Sequence, residues 1–370
     1  MSSSVKKRRK ISGRLIINIF VIVFSICLVA YFFLSENGLM DLLRSSQSIS
    51  LFWISMAVFA QLFNLLMDTF ITYNFIYLRY KHFSLWDAVK VCLVGQFFSA
   101  ITPSSTGGQP MQVYLMTKMG INAGYGTSTM MQKFIVYQLT STAYSILAIV
   151  LRFDFFIGNL DMPGMWIFVL IGFASQLIVT SALIVICFNR SLSAKFVGLL
   201  AKLFKKFKYK KADQKIASLE HQIHMFHQSN KELLKESRLM LSSFLLVILQ
   251  LTAILSVPYF IYRAFGLNEA SPLDMICSQA FVNVTSSLMP LPGASGAAEL
   301  GFSAFFGMFF TAETIKSAIL VWRIITYYGT ILLSLPFSYF TKDKKEHEKD
   351  LEEGVIQEQD ESLTREETDS

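Results

Sequence analysis

The chain of 370 residues is 53% hydrophobic and 14% aromatic but only 16% charged, and its net charge is +7. Soluble domains contain about 25% charged residues, so this composition excludes an ordinary soluble enzyme or a soluble binding domain. Several apolar runs reach the roughly 20 residues that an α-helix needs to cross the hydrocarbon core of a bilayer. We therefore predict an all-α polytopic membrane protein.

The charges are unevenly distributed along the sequence. Basic residues concentrate in an N-terminal tail (1–14) and in a linker (189–238), whereas the C-terminal tail (341–370) is acidic and is predicted to be disordered. Basic loops mark the cytoplasmic side of a membrane protein. The pattern therefore places both termini in the cytoplasm, and it argues against nucleic acid as a partner.

Six apolar segments have the length and composition of full crossings. The first follows the sequence KKRRK without a small-residue cleavage site, so we interpret it as an uncleaved anchor. The linker separates a first membrane half (15–188) from a second (239–340). The predicted crossings are residues 15–34, 51–78, 127–151, 165–188, 239–262 and 315–340.

A broken segment interrupts the first half at residues 88–117. Its two ends must both face the cytoplasm, and its apolar arms are too short to cross alone at 1.5 Å per residue. The centre reads SAITPSSTGGQP, where Pro103, Gly107, Gly108 and Pro110 disfavour a continuous helix. Broken backbone at membrane depth must be covered by protein or line a watery cavity. We predict a re-entrant hairpin that enters from the cytoplasm.

The linker carries two further patterns. Residues 195–211 mix lysine with phenylalanine and tyrosine, which predicts binding to the anionic inner leaflet. Residues 217–237 have the spacing of an amphipathic helix, and we expect this helix to be exposed in the cytoplasm.

A second broken segment lies in the second half, at residues 273–312, where PLPGASGAAELG separates two apolar arms. By parity, both of its ends lie outside, which predicts a second hairpin that enters from the opposite face. Two opposed hairpins in corresponding places of two halves predict an inverted-repeat-like bundle with a substrate site near the midplane. Two pairs of short crossings are the alternative, and no residue-level repeat is evident.

Three motifs resemble one known family. TPSSTGGQPMQVYLM is similar to the P-x-x-x-G-G-[EDQ] signature of the lysylphosphatidylglycerol synthase transmembrane region, the flippase-like membrane domain of MprF. PLPGASGAAELGF resembles its second motif, P-x-P-G-x-x-G-x-x-E, and AILVWRIITYY resembles its final, arginine-containing helix. The resemblance covers roughly residues 15–340. One departure is Gln109, which stands where the family commonly has an acidic residue.

This resemblance implies a lipid-handling protein of the bacterial plasma membrane. Longer relatives carry a soluble domain that transfers lysine from lysyl-tRNA to phosphatidylglycerol. The present chain ends in a short acidic tail, so we expect it to have no catalytic domain of its own. Our leading hypothesis is a flippase-like transporter of a phospholipid, such as lysyl-phosphatidylglycerol, or of a lipid-linked headgroup. A phosphatidylglycerol lysyltransferase and a non-transporting partner subunit are the alternatives.

Charged residues inside the predicted membrane region need a reason, because each costs about 2.5–3.5 kcal/mol to insert. In the functional interpretation, Arg323 and Lys133 bind a lipid phosphate. Glu299 and Asp68 then balance that charge, or bind a headgroup amine or a coupling proton. In the structural interpretation, these residues form buried ion pairs, such as Glu299 with Arg323, that only hold helices together.

The two broken segments supply the remaining candidates, because their glycine N–H groups can bind an anion. Close helix packing is the alternative role of these glycines. We expect no cofactor and no metal, a membrane phospholipid as partner, and we leave open a homo-oligomer. The candidate transport residues are Asp68, Pro103, Gly107, Gly108, Gln109, Lys133, Pro292, Gly293, Gly296, Glu299 and Arg323.

Overall fold

The computed structural model describes residues 49–159, 165–189, 225–287 and 291–339. Within these ranges the chain forms helices and turns and contains no strand. The prediction of an all-α protein is confirmed. The predicted crossing at 15–34, both tails and the leaflet-binding stretch 195–211 lie outside the described residues.

Each of the two predicted broken segments contains two helices of 10 to 17 residues. A 3₁₀ turn lies in each broken segment, at Pro103–Ser105 and at Pro292–Ala294. A π turn, Ile324–Tyr328, joins the last two helices. In chain order the helices are α1 (Leu51–Tyr77), α2 (Leu85–Ile101), α3 (Gly108–Lys118), α4 (Ala123–Asn159), α5 (Met165–Phe188), α6 (225–235), α7 (Ser237–Ala264), α8 (Pro272–Ser286), α9 (Ala297–Phe306), α10 (Ile315–Arg323) and α11 (Gly329–Tyr339).

Among the described residues, four helical stretches are long and apolar enough to cross a membrane, and each lies within a few residues of a predicted crossing. Large apolar side chains are exposed along the outward faces of the helices, where lipid tails can cover them. The protein is therefore a multi-pass membrane protein. The four stretches are Leu51–Tyr77, Ala123–Arg152, Ser237–Ala264 and Ile315–Ser338.

Helices α1 and α7 pack side by side as an antiparallel pair. At one end, the N–H of Ser50 donates to the carbonyl of Ala264 at 2.9 Å. At the other end, Arg79 follows α1 and forms an ion pair with Glu232, which precedes α7, at 3.1 Å. The C-terminal ends of α1 and α7 therefore point in opposite directions.

The two broken hairpins enter this pair from opposite ends. The first hairpin, α2 and α3, follows the C-terminal end of α1, whereas the second hairpin, α8 and α9, follows the C-terminal end of α7. Their 3₁₀ turns contact each other. The four arms have 17, 11, 15 and 10 residues. At 1.5 Å per residue the arms reach about 15–26 Å, which is less than the roughly 30 Å of a hydrocarbon core.

The last helix runs parallel to α1. Gln61 of α1 donates from Nε2 to the hydroxyl of Thr330 at 2.8 Å. Further along, Trp86 packs edge-on against Phe337, with ring centroids 5.7 Å apart. The π turn Ile324–Tyr328 lies before these contacts, and π turns inside helices occur frequently at functional sites.

Helix α6 corrects one expectation about the linker. The sequence predicts an exposed amphipathic helix, but Phe226 is buried and packs with Ile135, Met131 and Ile184. Leu233, two turns later on the same face, is also buried. The apolar stripe that makes this helix amphipathic therefore packs against the bundle.

Candidate functional site

The turns of the two hairpins begin with the same backbone conformation over four residues and differ after them, where Gly107 has a φ of −79° and Gly296 a φ of +88°. Thr102 and Leu291 are both extended, with φ of −108° and −106°. A proline follows each of them, and the next two residues have positive φ in both turns. These residues are Ser104 (50°) and Ser105 (55°) in the first turn, and Gly293 (60°) and Ala294 (50°) in the second.

This match is the internal repeat that the sequence did not reveal. Both turns contain the pattern P-x-x-[ST]-G, at Pro103–Gly107 and at Pro292–Gly296. The pattern is too short to be noticed by itself, yet it was the available signal. Positive φ costs an L-residue about 1–2 kcal/mol, so Ser104, Ser105 and Ala294 hold strained backbone at the meeting point of the hairpins.

Arg323 is the charged residue at the second turn. Its Nε lies 2.7 Å from Oε1 of Glu299, and its Nη1 donates to the carbonyl of Gly293 at 3.0 Å. The other oxygen of Glu299 accepts the N–H of Gly296 at 2.7 Å and so caps the start of α9. The ion pair named by the structural interpretation is thus present, and it fastens the second turn to the last helix.

The guanidinium of Arg323 still has an unused donor. Arg323 is only 4% exposed, and its Nη2 has no hydrogen-bond partner among the described residues. Its carbon lies 5.0 Å from the ring centroid of Trp322 and 5.5 Å from that of Tyr327. The side chain is therefore held in place while two N–H bonds remain available to an acceptor.

Tyr327 connects the same helix to the first hairpin. Its hydroxyl donates to the carbonyl of Ala100 at 2.9 Å, near the end of α2. Its ring also lies against Gly293, where a Cβ would come within 2.4 Å of the ring. Tyr327 was not among the candidate residues, although its position one helical turn after Arg323 places both side chains on one face of the helix.

The glycines of the first turn serve close packing. A Cβ on Gly108 would lie 1.9 Å from Oγ of Ser99 and 2.7 Å from the carbonyl of Gly95, so α2 and α3 can approach only because Gly108 has none. The N–H of Gly107 donates to the hydroxyl of Thr102 at 2.9 Å. In this conformation the N–H groups of Gly107 and Gly296 are both used internally. For these two glycines the expectation of a free N–H is wrong, whereas for Gly108 and Gly293 anion binding stays a prediction.

The other candidates in the turns have different environments. Pro103 is exposed, whereas Gln109 and Pro292 are half-buried. Nine of the eleven candidates lie in or beside the two hairpins. These nine are the three residues above, the four glycines, Glu299 and Arg323. Asp68 and Lys133 lie elsewhere.

Asp68 and Lys133 form a second buried ion pair. Nζ of Lys133 lies 2.8 Å from Oδ1 of Asp68 and donates to the hydroxyl of Thr72 at 2.7 Å. Cys92 of α2 and Gln250 of α7 complete the cluster, at 4.0 Å from Lys133 Nζ and 3.5 Å from Asp68 Oδ1. Four helices therefore meet at this pair, and no sequence pattern indicated Thr72, Cys92 or Gln250.

The two ion pairs are well separated along the bundle. Gln61 lies opposite Thr326 and Thr330 in the parallel pair of α1 and the last helix. Asp68 lies two turns after Gln61 along α1. Arg323 lies more than one turn before the middle of the Thr326–Thr330 segment that faces Gln61, so the two residues are displaced in opposite directions. At 1.5 Å per residue, this register separates the two pairs by roughly 18 Å along the helix axis. The structure thus shows two charged sites and not one cluster of four charges.

Residues 16–334 match the family described as the lysylphosphatidylglycerol synthase TM region. The chain belongs to this family. A relative described as a UPF0104 membrane protein, from Archaeoglobus fulgidus, is 28% identical over 259 residues, which is 69% of this chain and 76% of the relative. Both charged sites and both turns lie within the residues that match the lysylphosphatidylglycerol synthase TM region.

Proposed function

We propose that this protein is a flippase-like transporter in which an anionic phospholipid headgroup passes between the two hairpin turns. The observation that carries the proposal is Arg323, a buried and rigidly held guanidinium with an unused donor where the two turns meet. A charged side chain at membrane depth is costly and marks a substrate path in many transporters. Arg323 is the proposed phosphate-binding residue.

The chemistry of arginine supports a phosphate as ligand. A guanidinium offers paired N–H groups whose geometry matches the oxygens of a phosphate. Glu299 and the Gly293 carbonyl satisfy Nε and Nη1, and they leave Nη2 for the ligand. The acyl chains would stay in lipid beside the exposed apolar faces of the helices.

The hairpins supply the moving parts of this mechanism. Transporters with inverted repeats expose a central site to each side in turn, by movement of discontinuous helices against the remaining spans. Here the two turns enter from opposite ends, contact each other and hold strained residues. Strained backbone clusters at ligand clamps and switch regions, so these turns are the segments that we propose to move.

The cellular setting completes the proposal. The protein resides in a bacterial plasma membrane with both termini in the cytoplasm, because basic residues flank the spans on that side. The stretch 195–211 rests on the anionic inner leaflet. Anionic phosphatidylglycerol is the proposed substrate within the wider class of phospholipids. Its lysyl ester, which has the same phosphate but carries two additional ammonium groups, is the alternative in line with the family's description.

The test is lipid translocation by purified protein in liposomes. Fluorescent short-chain phosphatidylglycerol would be placed in both leaflets, and dithionite would bleach only the outer one. We expect Arg323→Ala to lower the translocation rate about tenfold to a hundredfold, because a hydrogen bond to a charged group contributes about 1.5–3 kcal/mol. Arg323→Lys keeps a positive charge beside Glu299 and should therefore still fold. Its translocation rate should lie between the rates of wild type and Arg323→Ala.

Arg263→Ala is the matched control. Arg263 also stacks on an aromatic ring, with its carbon 4.7 Å from the centroid of Trp53, but it lies at the end of α7 away from the turns. Its substitution should leave translocation unchanged. Equal rates for wild type and Arg323→Ala, at equal amounts of folded protein, contradict the proposed role.

Lysyl-phosphatidylglycerol formed in cells that express only this chain would instead favour the lysyltransferase, and loss of activity on deleting 205–224 alone would favour a partner subunit.

A further inference from the structure

The Asp68–Lys133 pair differs from the Glu299–Arg323 pair in the hydrogen bonds that its carboxylate would keep if the cation moved away. The Glu299 carboxylate would keep the N–H of Gly296 at 2.7 Å after separation from Arg323. In the described part of the chain, the Asp68 carboxylate has Lys133 at 2.8 Å, and its other neighbours are weak or distant donors, namely the Cys92 thiol and Gln250 at 3.5 Å. The nearby hydroxyl of Thr72 donates to the Asp68 backbone carbonyl and not to the carboxylate.

Burial makes this difference consequential. The side chains of Asp68 and Lys133 are 9% and 13% exposed. An ionised carboxylate without a partner in such surroundings takes up a proton, because an unpaired charge is far more costly than a neutral acid. The other titratable groups that face the pair are Cys92 of α2 and Tyr137 of α4.

Lys133 also holds a position equivalent to that of Arg323. Each follows a hairpin and lies two to three turns into the helix after it, Lys133 in α4 and Arg323 in α10. Lys133 is therefore the counterpart of Arg323 in the first membrane half. A phosphate that takes the place of Asp68 at the Lys133 ammonium leaves the carboxylate without its cation.

Resting on the transport function above, we propose that Asp68 and Lys133 form a proton-binding site that couples passage of an anionic headgroup to a pH gradient. Lys133 stays an ammonium and exchanges the Asp68 carboxylate for the lipid phosphate. Asp68 takes one proton from the aqueous phase onto a carboxylate oxygen. The site is neutral before and after this exchange, so one proton and one lipid anion bind together and cross in the same direction.

Gradient-driven accumulation tests the coupling in liposomes that contain fluorescent phosphatidylglycerol. With one proton per lipid, an imposed difference of one pH unit should shift the ratio of labelled lipid between the leaflets by up to about tenfold, toward the leaflet away from the acidic side. Asp68→Asn cannot bind the proton, so any lipid movement that remains in this variant should show no response to the gradient. The matched control is Asp274→Asn, because Asp274 pairs with Arg152 at 2.7 Å at the far end of α4, and it should respond like wild type.

A second measurement needs no transport. In detergent-purified Lys133→Met, infrared difference spectroscopy should show the carbonyl stretch of a protonated carboxylic acid at neutral pH. The band should be absent from wild type and from Asp68→Asn/Lys133→Met. If the band does not appear, Asp68 stays ionised without its partner and the proposal is wrong.

The outcomes separate the two proposals. Wild-type protein that moves no labelled lipid overturns the transport function and the coupling together. Lipid movement that ignores the pH gradient in wild type, or still follows it in Asp68→Asn, overturns the coupling alone and leaves Asp68 and Lys133 as a structural pair.

Discussion

The hydroxyl of Tyr327 donates to the carbonyl of Ala100 at 2.9 Å and thereby links the last helix to the first hairpin. One turn earlier on the same helix, Arg323 binds Glu299 and Gly293 of the second hairpin. Both hairpins are thus fastened at the π turn Ile324–Tyr328. A shift of this short segment would change the contacts of both turns, as the proposed transport function requires.

Tyr327→Phe tests the first of these two links. The ring and its packing against Gly293 remain, but the hydrogen bond to Ala100 is lost. We expect the free energy of unfolding to fall by about 1 kcal/mol, measured by denaturation in detergent. Tyr259→Phe is a suitable control, because the hydroxyl of Tyr259 accepts only a long bond from Arg263 at 3.3 Å. Equal losses in the two variants would contradict a special role of Tyr327.

Gly293→Ala should destabilise the protein by more than backbone strain alone. The position has a φ of +60°, and a Cβ there would lie 2.4 Å from the Tyr327 ring. Gly266→Ala isolates the strain, since Gly266 has a φ of +77° but no atom within 4 Å of the added Cβ. We expect about 1–2 kcal/mol for Gly266→Ala and a larger loss for Gly293→Ala. Adding Tyr327→Ala should restore part of the stability lost in Gly293→Ala but none of that lost in Gly266→Ala.

Gly108→Ala should force the arms of the first hairpin apart. Its Cβ would meet the backbone carbonyl of Gly95 at 2.7 Å, which cannot move aside as a side chain can. Overpacking of this kind costs about 1–3 kcal/mol. Gly126→Ala is the matched control, because its nearest neighbour is the flexible Met116 side chain at 3.3 Å. Thermal stability in detergent distinguishes the two, and equal stability would show that α2 and α3 do not need this close approach.

Cysteine labelling tests whether the hairpin turns reach water. In a variant without the native cysteines, a charged thiol reagent should modify Ser105→Cys from the cytoplasmic side, because Ser105 is exposed at the first turn. Ser295→Cys should react more slowly and from the outside, since Ser295 is half-buried. Ser278→Cys, fully buried in α8, is the unreactive control. Equal protection of Ser105 and Ser278 would make the first turn a dry packing element.

The sequence predicted the elements that depend on local pattern. Pro103 and Pro292 with their neighbouring glycines indicated broken helices, and charge parity indicated that the two breaks face opposite ways. The antiparallel α1 and α7 pair confirms the opposed arrangement. The shared turn conformation was missed because φ is set by the whole turn, and Ser104 and Gly293 look unrelated as letters.

The partners of the charged residues needed the tertiary structure. Arg323 and Glu299 are separated by a turn and a helix, and the sequence left their pairing as one of two interpretations. The functional interpretation of the sequence placed Asp68 and Lys133 in the same cavity as Arg323, since inserting any of these charges into a bilayer costs free energy. The parallel register of α1 and the last helix instead places them roughly 18 Å away.

The sequence by itself determined the membrane class, the broken segments and the crossings at 51–78, 127–151, 239–262 and 315–340, because insertion and helix breaking depend on residue type and run length. Only the tertiary structure decided which charges meet. Contacts such as Arg323 with Gly293, or Lys133 with Cys92, form between helices that are far apart in the chain. Their geometry follows from how apolar and glycine-containing surfaces fit together, which no local pattern of letters specifies.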